Sequence, residues 1–230
     1  MGLTVCGMAG SPFYRKICII LDEKGLPYET ETLNPFQAGD GFTAQNPVRR
    51  IPLLKDTDVS DDFILPDSSV IAQYLERKYP TPPMIPTNTA DYGKALWFEE
   101  YADTEMATNI GLKVFRPSMF PQMSGKEPDF EAAKKTIRER LPQIHDYLEK
   151  QLEGKSWLVG DSFSIADVSV AVQYGNLAFT GYSPSPKRWP NLAGFMARVG
   201  SKESFAQSHI QAAVLFATFK KIELDPTEGL

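Results

Sequence analysis

Cysteine and histidine are scarce, with two of each in 230 residues. Cys6 and Cys18 form neither a C-x-x-C pair nor a metal-ligand spacing, so dithiol chemistry and a cysteine-held zinc are set aside. Both read as small buried apolar residues of a reducing compartment. His145 and His209 fall in no ligand-like cluster, so no metal is expected. No G-x-S-x-G elbow is present to suggest a Ser-His-Asp hydrolase. Long apolar runs are missing too: no stretch of about 18 such residues could cross a bilayer, and the first residues lack the basic segment and apolar run of a secretory signal. Cys6 stands where a myristoylation motif takes Ser or Thr. Positive charge is in deficit, with 24 Lys and Arg against 29 Asp and Glu, and this net charge of −5 argues against nucleic acid or an anionic membrane as partner. These absences leave a cytoplasmic protein as the expectation.

What is present is ordinary globular material, 42% hydrophobic and 23% charged, in a chain long enough for two domains. Leu3 to Cys6 has the β-branched content of a short strand. Phe13, Ile17, Ile20 and Leu21 then recur at helical spacing, and Ser11-Pro12 between them supplies an N-cap and a first-turn proline. The Ser11 hydroxyl is thereby placed beside unpaired backbone N–H groups at the positive end of a helix, where an anion is stabilised. Gly25 and Pro27 end that helix. Tyr28 to Leu33 reads as a second strand, 36–45 as loop or weak helix, and the stretch through Ile51-Pro52 to Leu54 as a third strand headed by proline. A polar hairpin over 55–62 leads to a returning strand at Phe63 to Leu65. Pro66-Asp67-Ser68 opens a helix carrying Val70, Ile71, Tyr74, Leu75 and Tyr79.

Four prolines within the eight residues 79–86 mark a semi-rigid boundary. Beyond it only helical patterns occur: one long segment containing Tyr92 to Met106, and a second over 132–152 bent at Pro142. Ser164 to Asp167 makes a capping box before a helix apolar nearly all round, with Phe163 and Val168 placed as a staple. A helix follows from Trp189-Pro190, a last one is predicted over 210–219, and 223–230 reads as frayed.

These landmarks together resemble the soluble glutathione transferase family. Ser11-Pro12-Phe13 with Arg15 is similar to the active-site corner of its serine-type, theta-, delta- and tau-like members. Asn46-Pro47 with Ile51-Pro52 is similar to the loop carrying a cis-proline, Asp67-Ser68 to the acidic-Ser pair, and 164–167 to the capping box of the helical domain. The resemblance runs from about Leu3 to about Phe205. It departs from the family in having Asp67 rather than Glu and a double arginine, Arg49-Arg50, before the Ile-Pro step. Ala9 falls near where mammalian-type members place a tyrosine.

The resemblance implies an α/β thioredoxin-like N-terminal domain (1–80), a Pro-rich linker (81–90) and an all-α helical C-terminal domain (91–230). It implies glutathione as co-substrate, with Ser11 as the catalytic hydroxyl that keeps the sulfur ionised. Phe13 belongs to the glutathione site, Ile51 pairs its backbone with the tripeptide, and Pro52 holds that edge open. Asp67 meets the γ-glutamyl ammonium, Ser68 the neighbouring carboxylate, and Arg50 or Arg49 the glycine carboxylate. Met8, Phe13, Tyr101, Met106 and Phe115 are candidates for an apolar wall against a small hydrophobic electrophile, each also explicable as core. A homodimer is implied. Conjugation is the leading activity, with dehalogenase, isomerase or peroxidase variants open. The alternative is a non-catalytic interaction module of the same architecture.

Overall fold

Ser11 is extended (φ −81°, ψ 125°) and takes the Tyr14 N–H on its side chain, so the first helix starts at Pro12 as its capping residues require. The computed structural model describes residues 2–224. Strand β1 (Leu3–Gly7) leads through that corner into α1 (Pro12–Glu23). The helix ends with Gly25 left-handed at φ 64°, and the Leu26 N–H returns to the Leu21 carbonyl at 3.0 Å. Then come β2 (Glu29–Thr32), α2 (Asp40–Gln45), β3 (Leu53–Asp56), β4 (Ile64–Pro66) and α3 (Ser68–Lys78). The sheet order is β2-β1-β3-β4, with β1 parallel to β2 and antiparallel to β3, and β3 antiparallel to β4. This is the thioredoxin-like pattern. The third and fourth strands sit one or two residues later than predicted, because Pro52 cannot donate to a ladder and pairing starts only at Leu53.

No helix or strand occupies 79–88. Helix α4 (Thr89–Tyr101) then runs without a break into a wider-wound stretch, Ala102–Phe115, and on into α5 (Arg116–Met123). In the wide stretch the bonds close five residues back, as where the Arg116 N–H meets the Gly111 carbonyl. The predicted single helix over 132–152 is two, α6 (Phe130–Glu139) and α7 (Leu141–Gln151). Pro142 is the reason: it belongs in a first turn, so the chain breaks at Arg140 rather than bending.

Helix α8 (Ile165–Phe179) is the axis of the helical part, enclosed on all sides except at Ala178. Its capping box is formed: Asp167 accepts the N–H of Ser164 and of Leu158, each at 2.9 Å. Around it pack α1, α4 and the wide stretch, with α9 (Pro190–Gly200) beside its far end. The last helix, α10, covers Glu203–Leu215, earlier than the predicted 210–219. Its buried face is built from Ser204, Phe205, Ser208 and Ala212, while Ile210 and Val214 are exposed, so apolar spacing located it wrongly. Of the stretch read as frayed, Leu224 packs against the core and 225–230 lie outside the described residues.

The two parts are joined by buried charge. Lys16 on α1 is fully buried and reaches Glu99 at 2.7 Å and Asp103 at 2.6 Å on the long helix. Arg15, 1% exposed, is held by the Val172 carbonyl at 3.1 Å and by Asn176 Oδ1, with its guanidinium over the Phe179 ring.

Candidate functional site

Three loops meet at one end of the sheet because of strand direction. Cys6 pairs with Leu53 and Leu53 with Pro66, so the exit from β1, the entry to β3 and the exit from β4 lie side by side. The residues delivered there are Met8 to Ser11, Ile51-Pro52 and Asp67-Ser68. The Ile51-Pro52 bond is cis. Neither the N–H nor the C=O of Ile51 pairs with the described backbone, which leaves a short free edge beside the corner.

At the corner, the Ser11 N–H donates to the Met8 carbonyl at 2.9 Å and Ser11 Oγ accepts the Tyr14 N–H at 3.3 Å. The hydroxyl therefore still has its own hydrogen to give, and among the described residues nothing takes it. It stands where the α1 dipole favours negative charge. Phe13, half-buried, follows on the first turn.

Asp67 is held at φ 76°, a conformation that side chains rarely adopt and that persists where surrounding structure enforces it. Its Oδ1 accepts the Ser69 N–H at 2.9 Å and the Val70 N–H at 3.3 Å, leaving Oδ2 without a partner among the described residues. Ser68 is 5% exposed at the start of α3, and the Ser69 hydroxyl donates to Asp103 at 3.3 Å. Asp103 thus ties the starts of α1 and α3 to the helical part through Lys16 and Ser69. Burial raises its pKa, and Lys16 opposes that rise.

The two arginines separate. Arg49 is spent inside its own loop: it donates to the Pro35 carbonyl at 2.9 Å, the Ala38 carbonyl at 2.7 Å and Thr43 Oγ1, and lies over the Phe42 ring. This removes Arg49 as a candidate for the glycine carboxylate. Arg50 is exposed, and its backbone carbonyl takes Asn46 Nδ2 at 2.5 Å.

The apolar wall also needs correction. Tyr101, half-buried, makes tilted ring contacts with Trp97 and with Tyr147 of α7, and Met106 is wholly enclosed in the main core, so Met106 cannot face a ligand from its position. Phe115 stays near the corner, in a cluster with Ala9, Phe120 and Phe216. Phe115 meets Phe216 edge-on at 5.3 Å, and Phe36, 71% exposed on the loop after β2, meets Phe120 edge-on at 6.0 Å. A Cβ on Gly10 would come within 3.1 Å of the Phe216 ring, so the chain after α10 lies over the corner. Met8 is half-buried beside it. Phe36, Phe120 and Phe216 were not singled out from the sequence; for the last two the signal was the recurrence of phenylalanine at 115 and 120 and at 216 and 219, and for Phe36 there was none. The thiols are inert by position: burial pushes Cys6 up to about 11 and Cys18 to about 12.

The family model for the glutathione S-transferase N-terminal domain matches residues 5–83, and that for the C-terminal domain matches 115–207. The chain belongs to the glutathione transferase family. Among its relatives in that family is the uncharacterized GST-like protein YibF of Escherichia coli, 28% identical over 210 residues, 90% of this chain and 98% of that one. Another is a stringent starvation protein A homolog of Haemophilus ducreyi, 26% identical over 196 residues, 85% and 84% of the two chains. A solved glutathione S-transferase of Rhodospirillum rubrum superposes with a TM-score of 0.82 at 23% identity, over 99% and 98% of the two chains, a likeness of fold.

Proposed function

We propose that this glutathione transferase binds glutathione along the Ile51-Pro52 edge and transfers its sulfur to small hydrophobic electrophiles. The observation that carries the reading is the hydrogen of Ser11, unclaimed at the head of α1. A free thiol with a pKa of about 8.5 is only a few per cent ionised at pH 7. A hydroxyl hydrogen bond together with the helix dipole lowers that pKa, at about 1.4 kcal/mol per unit.

In this reading the Ile51 N–H and C=O pair with the cysteinyl backbone of the tripeptide, as an added strand does. Asp67 Oδ2 takes the γ-glutamyl ammonium, and the N-terminus of α3 at Ser68 takes the adjoining carboxylate. Arg50 meets the glycine carboxylate, and Phe13 packs on the tripeptide from the first turn of α1. The electrophile rests on Met8, Phe36, Phe115, Phe120 and Phe216, between the two domains. The molecule acts as a homodimer.

Capture on immobilised glutathione, then a chlorodinitrobenzene assay of the protein and of Ser11→Ala, tests this. Binding with turnover that the substitution removes supports it. Binding with no turnover in either protein assigns the chain to the interaction modules of the same architecture, and no binding overturns the reading altogether.

A further inference from the structure

Arg15 is part of the corner motif in sequence, but its side chain runs away from Ser11 to α8. Lys16, the next residue, is as deeply buried and meets two carboxylates. Arg15 meets none among the described residues. Its Nη2 donates to the neutral Val172 carbonyl and Asn176 amide oxygen, the ring beneath it is the neutral Phe179, and its Nε is enclosed without a partner. Burial pushes its pKa down to about 9, which still leaves the guanidinium charged at pH 7. His209, whose pKa burial and Arg15 both lower, brings no compensating charge. A buried cation with neutral partners only is costly, and an anion beside it offsets that cost.

There is room for one. Arg15 lines a cavity of about 80 Å³ between α1 and α10, more than one water needs. On the α10 side, Ser208 and Gln211 bring a hydroxyl and an amide whose side chains make no hydrogen bond among the described residues. On the α1 side, burial pushes the Cys18 thiol up to about 12, so it adds no negative charge. Asp22 is the one carboxylate on the lining, and it is exposed, where water screens it.

We infer that this cavity binds a small planar monoanion, a short carboxylate with formate as its simplest form, as the counter-ion of Arg15 where α1 meets α10. A guanidinium is planar and matches a carboxylate, and the space admits only a few heavy atoms. Occupancy does not depend on the proposed transfer reaction.

The probe is sodium formate, exchanged for sodium gluconate at constant ionic strength, gluconate being too large for the cavity. The melting temperature of the protein is expected to rise saturably, by at least about 5 °C once formate reaches a hundred times its dissociation constant. Arg15→Met removes the cation, and Gln211→Glu supplies a fixed carboxylate from an exposed position on the α10 wall. In each, the rise falls to less than about a fifth of the parent's, and Gln211→Glu decides if Arg15→Met does not fold. Arg50→Ala, at the glutathione corner, keeps the full rise. No saturable rise in the parent leaves the cavity to water and overturns the inference. So does an undiminished rise in Gln211→Glu, and a rise lost in Arg50→Ala instead places formate at the corner and overturns it too.

Discussion

Two tasks meet in one oxygen at Ser11. As an acceptor Oγ caps α1, and its own hydrogen, unclaimed among the described residues, is the one that meets sulfur in the proposed reaction. The two tasks separate in variants. Ser11→Asp keeps a good cap, so its melting temperature stays near that of the parent, but it sets a negative charge against the thiolate and abolishes conjugation. Ser11→Ala loses both tasks: about 1 kcal/mol of stability in denaturant unfolding, and about 10- to 100-fold in kcat/KM, the worth of a hydrogen bond to a charged group. Equal loss of stability in the two variants, or conjugation surviving in Ser11→Asp, contradicts this division. Arg49 and Arg50 divide similarly. Arg49→Ala loosens the 35–49 loop and lowers stability, whereas Arg50→Ala raises the KM for glutathione and leaves unfolding unchanged. At this scale the sequence was legible where a residue's role is local, as at Ser11, Asp67 and Ser164, whose capping partners lie within three residues. It was illegible where the role depends on distant partners. Nothing in the order Arg49-Arg50 says that the first folds back on Pro35 and Ala38, nor that Met106 faces inward rather than toward a ligand.

Elements were legible to the extent that apolar spacing or a cap defined them. The order of strands and helices through α3 follows directly from those signals, and so does α8, apolar nearly all round. Helix α10 hides because it buries serine and alanine and exposes isoleucine and valine. The wide stretch 102–115 hides because a five-residue bond pattern leaves no composition mark. Lys16 shows what joins the elements: one buried cation shared by two carboxylates, Glu99 and Asp103. Lys16→Met leaves those carboxylates buried without their counter-charge, a cost of about 3–5 kcal/mol in urea unfolding, since breaking a buried pair is more damaging than never having one. Adding Glu99→Gln and Asp103→Asn to Lys16→Met restores much of the loss, and no restoration would refute the charge argument.

For the molecule as a whole, acid sensitivity is set in part by His145. It is fully buried, its Nδ1 lies 2.8 Å from the Tyr174 hydroxyl, and burial pushes its pKa down to about 3. In the unfolded chain the same imidazole takes a proton below about pH 6.5, so its contribution is complete above that pH and is lost as pH falls toward 3. The share lost between pH 6.5 and 5 is about 2 kcal/mol. Guanidinium unfolding across that interval should show a shallower pH slope in His145→Phe than in the parent, and identical slopes would assign the acid lability to other groups.

Gly10 lies under the Phe216 ring, so a corner made before the sheet is complete is roofed by a residue made only after α10. During synthesis the sheet, α1 and the loop with the cis bond can all assemble while the ribosome is still adding the helical half, yet the pocket proposed for an electrophile stays roofless. In the proposed reaction, competence toward a second substrate therefore comes only once the ribosome has passed Phe216, and a nascent chain stalled after α9 holds a formed corner without that ring over it.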